Sequence, residues 1–582
     1  MKDRKKIYFI VLAGICMAVV IKYLISIQKT MLVNGEESFV RAGEWSELIA
    51  ESVNNSKITF LVDGNEISIQ DKDIFLDDDL IPQINMRVIS QPLLCAVNFY
   101  PDGRFLIEKG KKRIELSIAN RVALVDGKAE QVSKSVTIID GNPYVSVEIL
   151  QSFLNYRYDW NPHDNAVVLV NENPDERIYP YIYDYRELGK VPPIKDQSIY
   201  GTCWAFSALT ALESSLLPDK MYDFSEDHMT HHNGYTDNLQ DGGYINLASA
   251  YLTAWRGPVY EKDDPYGDGV SPDNLAPVVH VQEVQIIPNK NLEEIKKAVF
   301  LYGGVQTALY VSATAGLNKF SDSYNPDNAS YCYIGTEKPN HAVTIIGWDD
   351  VYPAQNFSSQ PMGDGAFICS NSWGEEFGEN GYFYVSYYDT NIGTNNVVYT
   401  VIEKTDNYDN IYQSDIGGFT GQLGYRRESA YFANVYEVKT SESLKAVGFY
   451  SLAPDTQYQV YLVKNFDGKE AFNDKLLIKK GYLKNAGYYT VKLDEEYALE
   501  AGRKCAVVVY ITSPNEDMPI AIECARDDDS ANFVLGDGEG YISYNGKQWE
   551  HTEEKYNCNI CLKMYTGNET DEIPNDEQEE QK

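Results

Sequence analysis

Apolar residues recur along the chain at two different spacings, and each spacing predicts a different kind of element. After position 203 they return at Ala205, Leu209, Leu212 and Leu216, which is the spacing of one helix face. Before position 172 and after position 410, short runs alternate apolar and polar residues between Gly, Asn and Asp turns, which predicts strands. The pattern therefore predicts a helix-containing middle region between two strand-rich regions.

The first thirty residues follow a different pattern. A cluster of basic residues precedes an apolar run from Ile7 to Ile27, which only Lys22 interrupts. This order is typical of a signal peptide or a membrane-spanning segment, and the run approaches the ~20 residues that cross a bilayer. No small-residue cleavage site follows. We therefore predict a signal-anchor over residues 1–30, with a cleaved signal peptide as the alternative, so that the chain is either membrane-anchored with its catalytic domain outside or secreted.

The charge of the chain excludes one class of partner. The 582 residues carry a formal net charge of -36, so a phosphate backbone would be repelled and nucleic acid is excluded as a partner. An acidic surface suits a protein that stays soluble outside a cell, although it identifies no partner. A chain of this length is expected to fold as about three or four domains.

Residues 31–172 contain two degenerate copies of one unit. Each copy has a V-D-G turn, at Val62–Gly64 and Val125–Gly127, and later a strand, short helix, strand, turn and strand. The run IIDGNPYVSVEILQSFLNYRYDWNPHDNAVVLV resembles the copper amine oxidase N-terminal-like domain, a non-catalytic module of bacterial surface proteins. The resemblance implies a stalk or wall-facing spacer. It implies no copper, since His163 is the only histidine of the region.

Cys203 stands in DQSIYGTCWAFS, between a glycine-containing turn and the predicted helix. A helix N-terminus favours a thiolate, whereas a solitary cysteine is more often a small buried residue without reactivity. The amide of Gln197, six residues upstream, could donate to an oxyanion together with the Cys203 backbone N–H. The choice between the reactive and the inert interpretation depends on whether the chain also supplies an imidazole.

His341 and Asn371 are the residues that could activate such a thiol. His341 stands in KPNHAVTIIGW, between a loop and a β-branched run, at a predicted strand start. Asn371, in ICSNSWGEEFGENGYF, could accept a hydrogen bond from one imidazole nitrogen and leave the other facing sulfur. Trp373 would then shield that hydrogen bond from water.

The run DHMTHH holds three rival histidines, His228, His231 and His232. Their helical spacing could suit a metal ion, but no carboxylate set or cysteine completes a site. Solvated surface is therefore the expectation for these side chains. No metal and no organic cofactor is predicted.

The segments DQSIYGTCWAFS, HAVTIIGW and NSWGEEFGENGYF, in this order, resemble the motifs of papain-like cysteine peptidases of the C1 family. The resemblance covers residues 176–403. It implies that Cys203 is the nucleophile, that His341 activates it, that Asn371 orients the imidazole and that Gln197 supplies the oxyanion-hole side chain. In the family, paired glycines line the substrate cleft, where a peptide backbone must approach closely. The substrate-binding residues implied here are Gly242, Gly243, Tyr244, Ala342 and Trp373.

Residues 410–566 consist of short alternating runs that predict an all-β sandwich. The stretches ANFVLGDGEGYISYNGKQWE and CNICLKMYT resemble the lectin-like domain that follows the catalytic domain in some bacterial peptidases. Tyr541, Tyr544 and Trp549 could stack on sugar rings, but at alternating strand positions such residues more often belong to the core. Residues 567–582 are predicted to form an acidic disordered tail.

Together these features predict a multidomain protein. A two-lobed α+β papain-like catalytic domain lies between an N-terminal α+β, β-rich repeat module and a C-terminal β-sandwich. The predicted function is a cell-surface or secreted cysteine endopeptidase with protein or peptide substrates. The N-terminal helix would contact the membrane, and the flanking domains could contact cell wall or glycan. Two alternatives remain open: a surface adhesin with an inactive peptidase domain, and a cysteine transpeptidase.

Overall fold

The computed structural model describes residues 58–568, except 68, 78, 80, 119, 162–165, 174–177, 236–241, 313–321, 526–532 and 537. The predicted anchor, His163 and all but two residues of the predicted tail lie outside these described residues. Within them, no helix combines the length and apolar character needed to cross a membrane. The chain divides into two units, residues 1–82 with 157–170, and residues 83–156 with 171–582.

The N-terminal strand-rich region has the predicted repeat of strands and short helices. Its elements in chain order are β1 Thr59–Val62, β2 Asn65–Ile67, a 3-10 turn Asp71–Asp73, β3 Ile74–Leu76, β4 Pro82–Asn85, α1 Met86–Leu93, β5 Ala96–Phe99, β6 Arg104–Lys109, β7 Lys112–Ser117, β8 Val122–Val125, β9 Lys128–Gln131, β10 Thr137–Ile139, β11 Asn142–Ser146, α2 Val147–Leu154, β12 Tyr156–Asn161 and β13 Ala166–Asn171.

The V-D-G stretches of both copies form two-residue hairpins. In the first, between β1 and β2, Asp63 and Gly64 have φ of 50° and 81°; in the second, between β8 and β9, Asp126 and Gly127 have φ of 49° and 78°. Two consecutive positive φ values define a type I′ turn, which matches the twist of paired strands. The turns predicted from the sequence are therefore confirmed.

The first unit is a small sheet in the order β12-β13-β1-β2, in which β1 pairs parallel with β13. The second unit contains the five-stranded meander β5-β6-β7-β8-β9. Ala96 of β5 and Leu106 of β6 share a buried core with Tyr183 and Val299 of the middle region. This meander is therefore packed against the middle region.

The middle region contains the predicted helix and two lobes. Its elements are β14 Ile182–Asp184, α3 Tyr185–Leu188, α4 Cys203–Leu216, α5 Glu226–His231, α6 Ile245–Thr253, β15 His280–Pro288, α7 Leu292–Leu301, β16 Val305–Leu309, β17 Tyr324–Asn325, a 3-10 turn Pro326–Asn328, β18 Ser330–Tyr331, β19 His341–Asp349, a 3-10 turn Ala354–Asn356, β20 Ala366–Ser370, β21 Tyr382–Ser386 and β22 Asn395–Glu403.

Each lobe has its own apolar core. In the helical lobe, α4, α5 and α6 pack around buried residues such as Leu209, Met229 and Tyr251. In the sheet lobe, β19, β20 and β21 pack against α7 around residues such as Trp348 and Val299. The helix α4 contacts β19 of the sheet lobe, so the start of α4 and the start of β19 face each other where the lobes meet.

In the part of the C-terminal region that the structure describes, the elements are mostly strands, with one short helix. Its elements are β23 Asn410–Tyr412, β24 Gly421–Leu423, β25 Ser429–Glu437, β26 Glu442–Ser451, β27 Thr456–Val463, a 3-10 turn Lys469–Asp474, β28 Leu476–Leu483, β29 Ala486–Leu499, β30 Lys504–Thr512, β31 Ile520–Glu523, β32 Gly540–Ser543, β33 Glu550–His551, α8 Thr552–Tyr556, β34 Asn559–Ile560 and β35 Leu562–Asn568.

Among the described residues, three sheets contribute to the C-terminal core. One has the order β28-β27-β30-β25-β32-β33, the second contains β29, β26, β35 and β23, and the third is the small sheet β24-β31-β34. The second sheet continues into the middle region, because β29 pairs antiparallel with β15. Tyr541 and Trp549 are buried, as the core interpretation predicts, whereas Tyr544 is 48% exposed. The last strand ends at Asn568, two residues beyond the domain end predicted at 566.

Candidate active site

Cys203 is the first residue of α4, at the junction of the two lobes. Of the predicted apolar stripe, Ala205, Leu209 and Leu212 are buried and Leu216 is partly buried. The helix is also covered on its other sides, since Ser207 and Glu213 are buried too. The amide of Gln306, from the sheet lobe, donates to the Trp204 carbonyl at 2.9 Å. The position of the thiol is therefore fixed by a helix that both lobes hold. The residue as a whole is partly exposed.

His341 begins β19, and Asn371 follows β20, which pairs with β19. The pairing brings the two side chains together, and His341 Nε2 lies 2.8 Å from Asn371 Oδ1. The Trp373 indole covers the imidazole with 4.6 Å between ring centroids. Because Nε2 is engaged by Asn371, Nδ1 is the nitrogen that remains for the thiol. The adjacent backbone N–H of Ala342 donates to Cys203 Sγ at 3.5 Å.

Burial shifts the pKa values of Cys203 and His341 in opposite directions. It raises the pKa of the Cys203 thiol, while the backbone N–H groups of Ala342, Trp204 and Cys203 lower it. Burial also lowers the pKa of His341 to about 4, against the opposing effect of the Asn371 hydrogen bond. Each group alone thus favours its neutral form. A thiolate at Cys203 therefore requires that its proton remain close by, on His341.

Gln197 is connected to the imidazole site through Ser372. Its carboxamide Oε1 accepts from the Ser372 hydroxyl at 2.6 Å, and its Nε2 donates to the Tyr200 carbonyl at 2.7 Å. The backbone N–H of Ser372 in turn donates to Asn371 Oδ1 at 2.9 Å. One N–H of the Gln197 amide remains for another acceptor. Ser372 was not among the residues predicted from the sequence, although its place between Asn371 and Trp373 is a signal that could identify it.

A groove of about 1060 Å³ contains Cys203 and His341. Gly242 adopts a φ of +80°, and a Cβ on Gly243 would lie 2.3 Å from Trp204 Nε1, so a larger residue at 243 would displace that indole. Tyr244 is 74% exposed at the rim. Of the predicted substrate-binding residues, the lining includes Gly242, Gly243, Tyr244 and Ala342. Trp373 and Gln197 are not among the lining residues.

A buried ion cluster lies behind the Gln197 segment. Lys195 Nζ is 2.9 Å from Glu226 Oε1, 3.2 Å from Glu213 Oε1 and 2.9 Å from Asp223 Oδ1. It also donates to the Phe224 carbonyl at 3.0 Å. One lysine thus connects the segment before Gln197 to both α4, which carries Glu213, and α5, which carries Glu226. The sequence analysis did not identify this cluster.

The expectation of solvated surface is wrong for His228. Its side chain is 3% exposed, its Nδ1 lies 2.7 Å from the Tyr251 hydroxyl, and its ring stacks on His232 at 4.2 Å. Burial lowers its pKa to about 3. His232 is half-buried and contacts the Ser271 hydroxyl at 3.0 Å, and His231 is exposed. The described residues contain no group of three or more histidine, cysteine or acidic side chains arranged to hold a metal.

Three known families match consecutive parts of the chain. The copper amine oxidase N-terminal domain matches residues 61–169, the papain family cysteine protease matches residues 179–402, and the lectin like domain matches residues 411–566. These matches confirm the three resemblances inferred from the sequence and the predicted multidomain architecture.

Individual relatives match mainly the middle region. A viral cathepsin of Heliothis zea nuclear polyhedrosis virus is 32% identical over 247 residues, covering 41% of this chain and 61% of the viral protein. Pro-cathepsin H of Mus musculus is 31% identical over 240 residues, covering 40% of this chain and 68% of that protein. The chain thus spans about three fifths of the viral relative's length.

Two solved structures extend the similarity into the C-terminal region. The clostridial cysteine protease Cwp84 after propeptide cleavage is 30% identical, with a TM-score of 0.59, over 67% of this chain and 99% of that one. The cysteine protease and lectin-like domains of Cwp84, a surface layer associated protein of Clostridium difficile, are 29% identical, with a TM-score of 0.58, over 67% and 89%. The chain belongs to the papain family of cysteine proteases.

Proposed function

We propose that this protein is a cysteine endopeptidase that hydrolyses peptide bonds through a thioacyl intermediate on Cys203. The observation that supports this most strongly is the 2.8 Å contact between His341 Nε2 and Asn371 Oδ1, beside the groove that also contains Cys203. An imidazole held in this way has one nitrogen fixed and the other free to exchange a proton with sulfur. A histidine with only a structural role would not be expected to share an open groove with a cysteine.

In the acylation step, the Cys203 thiol transfers its proton to His341, and the sulfur attacks the carbonyl carbon of the scissile bond. The tetrahedral intermediate collapses as the C–N bond breaks, and the leaving amine takes the proton from His341. In deacylation, water gives a proton to His341 and attacks the thioester. The carboxylic acid product leaves as the proton returns to sulfur. Neither step requires a metal or an organic cofactor.

Two donors would stabilise the negative oxygen of the tetrahedral intermediate. One is the backbone N–H of Cys203 at the start of α4, and the other is the uncommitted N–H of the Gln197 amide. Ser372 fixes the Gln197 carboxamide at 2.6 Å and so keeps that donor oriented before substrate arrives. The groove residues Gly242, Gly243, Tyr244 and Ala342 would contact the substrate, and Trp373 would protect the imidazole contact from water.

The location of the protein outside the cell is part of the proposal. Residues 1–30 would act as a signal-anchor, or be cleaved, and would leave an N-terminal module at 31–172, a peptidase domain at 176–403, a lectin-like domain at 410–566 and an acidic tail at 567–582 in the exterior. Support comes from the basic and apolar pattern of the first thirty residues and from the similarity to a surface layer associated protein. The substrates would be surface or extracellular proteins, and the lectin-like domain would be the part that contacts glycan.

The test compares the wild-type protein with Cys203→Ala and His341→Ala on casein and on a bacterial surface extract. We expect hydrolysis by the wild type and none by either variant. His231→Ala is the matched control, because His231 is an exposed histidine outside the groove, and it should retain full activity. Adding an amine nucleophile reveals a transpeptidase if ligated product replaces hydrolysis. Hydrolysis that persists in Cys203→Ala, or an inactive wild type, would contradict the proposal.

A further inference from the structure

The lectin-like domain supplies part of the groove that contains Cys203. Thr420 and Cys524 line it together with residues of both peptidase lobes. Thr420 directly precedes β24 and Cys524 directly follows β31, two strands that pair. The Cys524 backbone N–H donates to Thr420 Oγ1 at 2.6 Å, and the Thr420 backbone N–H donates to the Ile522 carbonyl at 3.0 Å. These bonds hold the two residues together as one wall.

This wall is attached firmly to the peptidase lobes. The Tyr235 hydroxyl donates to the Gly417 carbonyl at 2.8 Å, and the Asn246 amide donates to the Phe419 carbonyl at 3.2 Å. The pairing of β15 with β29 joins the two domains through a continuous sheet. Ala521, just before the wall, shares a buried core with α4 and α6. Because sheet, core and loop contacts all cross between the domains, the wall has a fixed position relative to Cys203.

The lining of the groove carries no acidic residue, lysine or arginine among the residues that the structure describes. This contrasts with the formal net charge of -36 of the whole chain. A charged substrate side chain buried against these described lining residues would meet no opposite charge, which is unfavourable. The volume of about 1060 Å³ is at the upper end of the range of about 300–1,000 Å³ typical of small-molecule sites. The groove therefore has room for an extended, uncharged peptide segment.

We propose that the lectin-like domain forms the far wall of the substrate groove, and that this wall selects substrates with an extended uncharged segment on the N-terminal side of the scissile bond. The inference rests on the proposed peptidase function. The N-terminal half of the substrate is the half that stays bonded to Cys203 as the acyl group, while the amine leaves. Cys203 lines the groove, so we assign to the groove the acyl half that stays bonded to this residue. Contacts remote from the reacting bond can then accelerate acylation.

The first test measures kcat/KM for two peptides that differ only before the scissile bond, one with two uncharged residues there and one with five. For the wild type, we expect the long peptide to react about tenfold faster or more. Cys524→Arg places a charged, bulky side chain in the wall and should bring the ratio of long to short close to one. The Cys524→Arg variant should also cleave a long peptide with Glu at its N-terminal end faster than a long peptide with Lys there. Leu476→Arg, at a half-exposed position on the edge strand β28, is the matched control and should keep the wild-type ratio.

The outcomes separate this inference from the peptidase proposal. A wild type that cleaves neither peptide contradicts the peptidase function itself. A wild type that cleaves both, with a ratio that Cys524→Arg leaves unchanged, contradicts only the wall. If Cys524→Arg lowered kcat/KM only for peptides extended on the C-terminal side of the scissile bond, the assignment of the acyl half to this groove would be wrong.

A second measurement does not depend on the folding of Cys524→Arg or on turnover. Cys203 and Cys524 are the only partly exposed cysteines among the residues described, so in the Cys203→Ala protein Cys524 is the one groove thiol left for a maleimide. Peptide mapping by mass spectrometry would follow its labelling. We expect the long uncharged peptide to slow that labelling and the short peptide to leave it unchanged. Equal labelling with and without the long peptide would show that the substrate does not reach the wall.

Discussion

The buried Lys195 cluster allows the most quantitative prediction about how the active site is held. Lys195 lies within 3.2 Å of carboxylate oxygens of Glu213 and Glu226, which are both about 1% exposed. Replacing it in Lys195→Met keeps a long apolar stem but removes the charge, and both carboxylates lose their cation. Breaking a buried pair in this way typically costs about 3–5 kcal/mol, since it leaves an uncompensated buried charge.

The destabilisation caused by Lys195→Met should depend on pH, and the pKa of Glu226 determines the direction of that dependence. Burial raises the pKa of Glu226 from 4.5 to about 7, and Lys195 opposes this rise. A carboxyl whose pKa is raised in the folded state stabilises the fold most below the unfolded value, and this contribution is lost as pH rises through the folded value. Without Lys195 the pKa of Glu226 rises further. The destabilisation should therefore be large at pH 8 and smaller near pH 5, where the carboxyl is protonated.

The assay is thermal unfolding of wild type, Lys195→Met and a matched control, Lys297→Met, at pH 5 and pH 8. Lys297 pairs with Glu294 at 3.5 Å on the surface of α7, and such a pair contributes only about 0–1 kcal/mol. For a domain of this size, about 1 kcal/mol shifts the midpoint by about 2–4 °C, so Lys195→Met should lose about 6–20 °C at pH 8. An unchanged midpoint, or a larger loss at pH 5 than at pH 8, would refute the reasoning.

Three further predictions concern residues of the candidate active site. Asn371→Ala removes the acceptor of a buried imidazole hydrogen bond, worth about 1–3 kcal/mol, and should lower kcat/KM about ten- to hundredfold without abolishing labelling of Cys203. Gly243→Ala places a methyl group 2.3 Å from Trp204 Nε1 and should destabilise by about 1–3 kcal/mol; an unfolding midpoint equal to that of wild type would contradict it. Because burial lowers the pKa of His341 to about 4, kcat/KM should persist to about pH 5 and fall below about pH 4, and a pH profile that already falls at 6.5 would contradict this.

Local patterns were sufficient to predict α4, the strand-rich regions and three candidate residues that the structure brings to one site. The apolar spacing after Cys203 predicted α4, and the V-D-G stretches predicted turns. In the structure these turns close hairpins, in which Asp and Gly take the two positive φ values. His341 and Asn371 stand in short motifs at a strand start and a strand end, so each could be identified from its own neighbours. The contact between them then followed from the pairing of β19 with β20.

The features that sequence reasoning missed depend on contacts between distant segments. The burial of His228 comes from Tyr251 and His232 packing around it, which the run DHMTHH does not reveal. From the sequence, Lys195 would be assigned to the surface, because its partners Glu213 and Glu226 lie on α4 and α5 and are distant along the chain. The wall formed by Thr420 and Cys524 lies at the groove only because the lectin-like domain packs against the peptidase lobes. No periodicity within one segment carries information about such packing.

The central claim is that Cys203 carries the acyl group during peptide hydrolysis. Its most direct test is intact-mass analysis, followed by peptide mapping, of protein that is quenched in acid during turnover of a peptide ester. We predict one acyl group per chain, on Cys203, and none in Cys203→Ala. Turnover without an adduct on Cys203, or an adduct on another residue, would contradict the account.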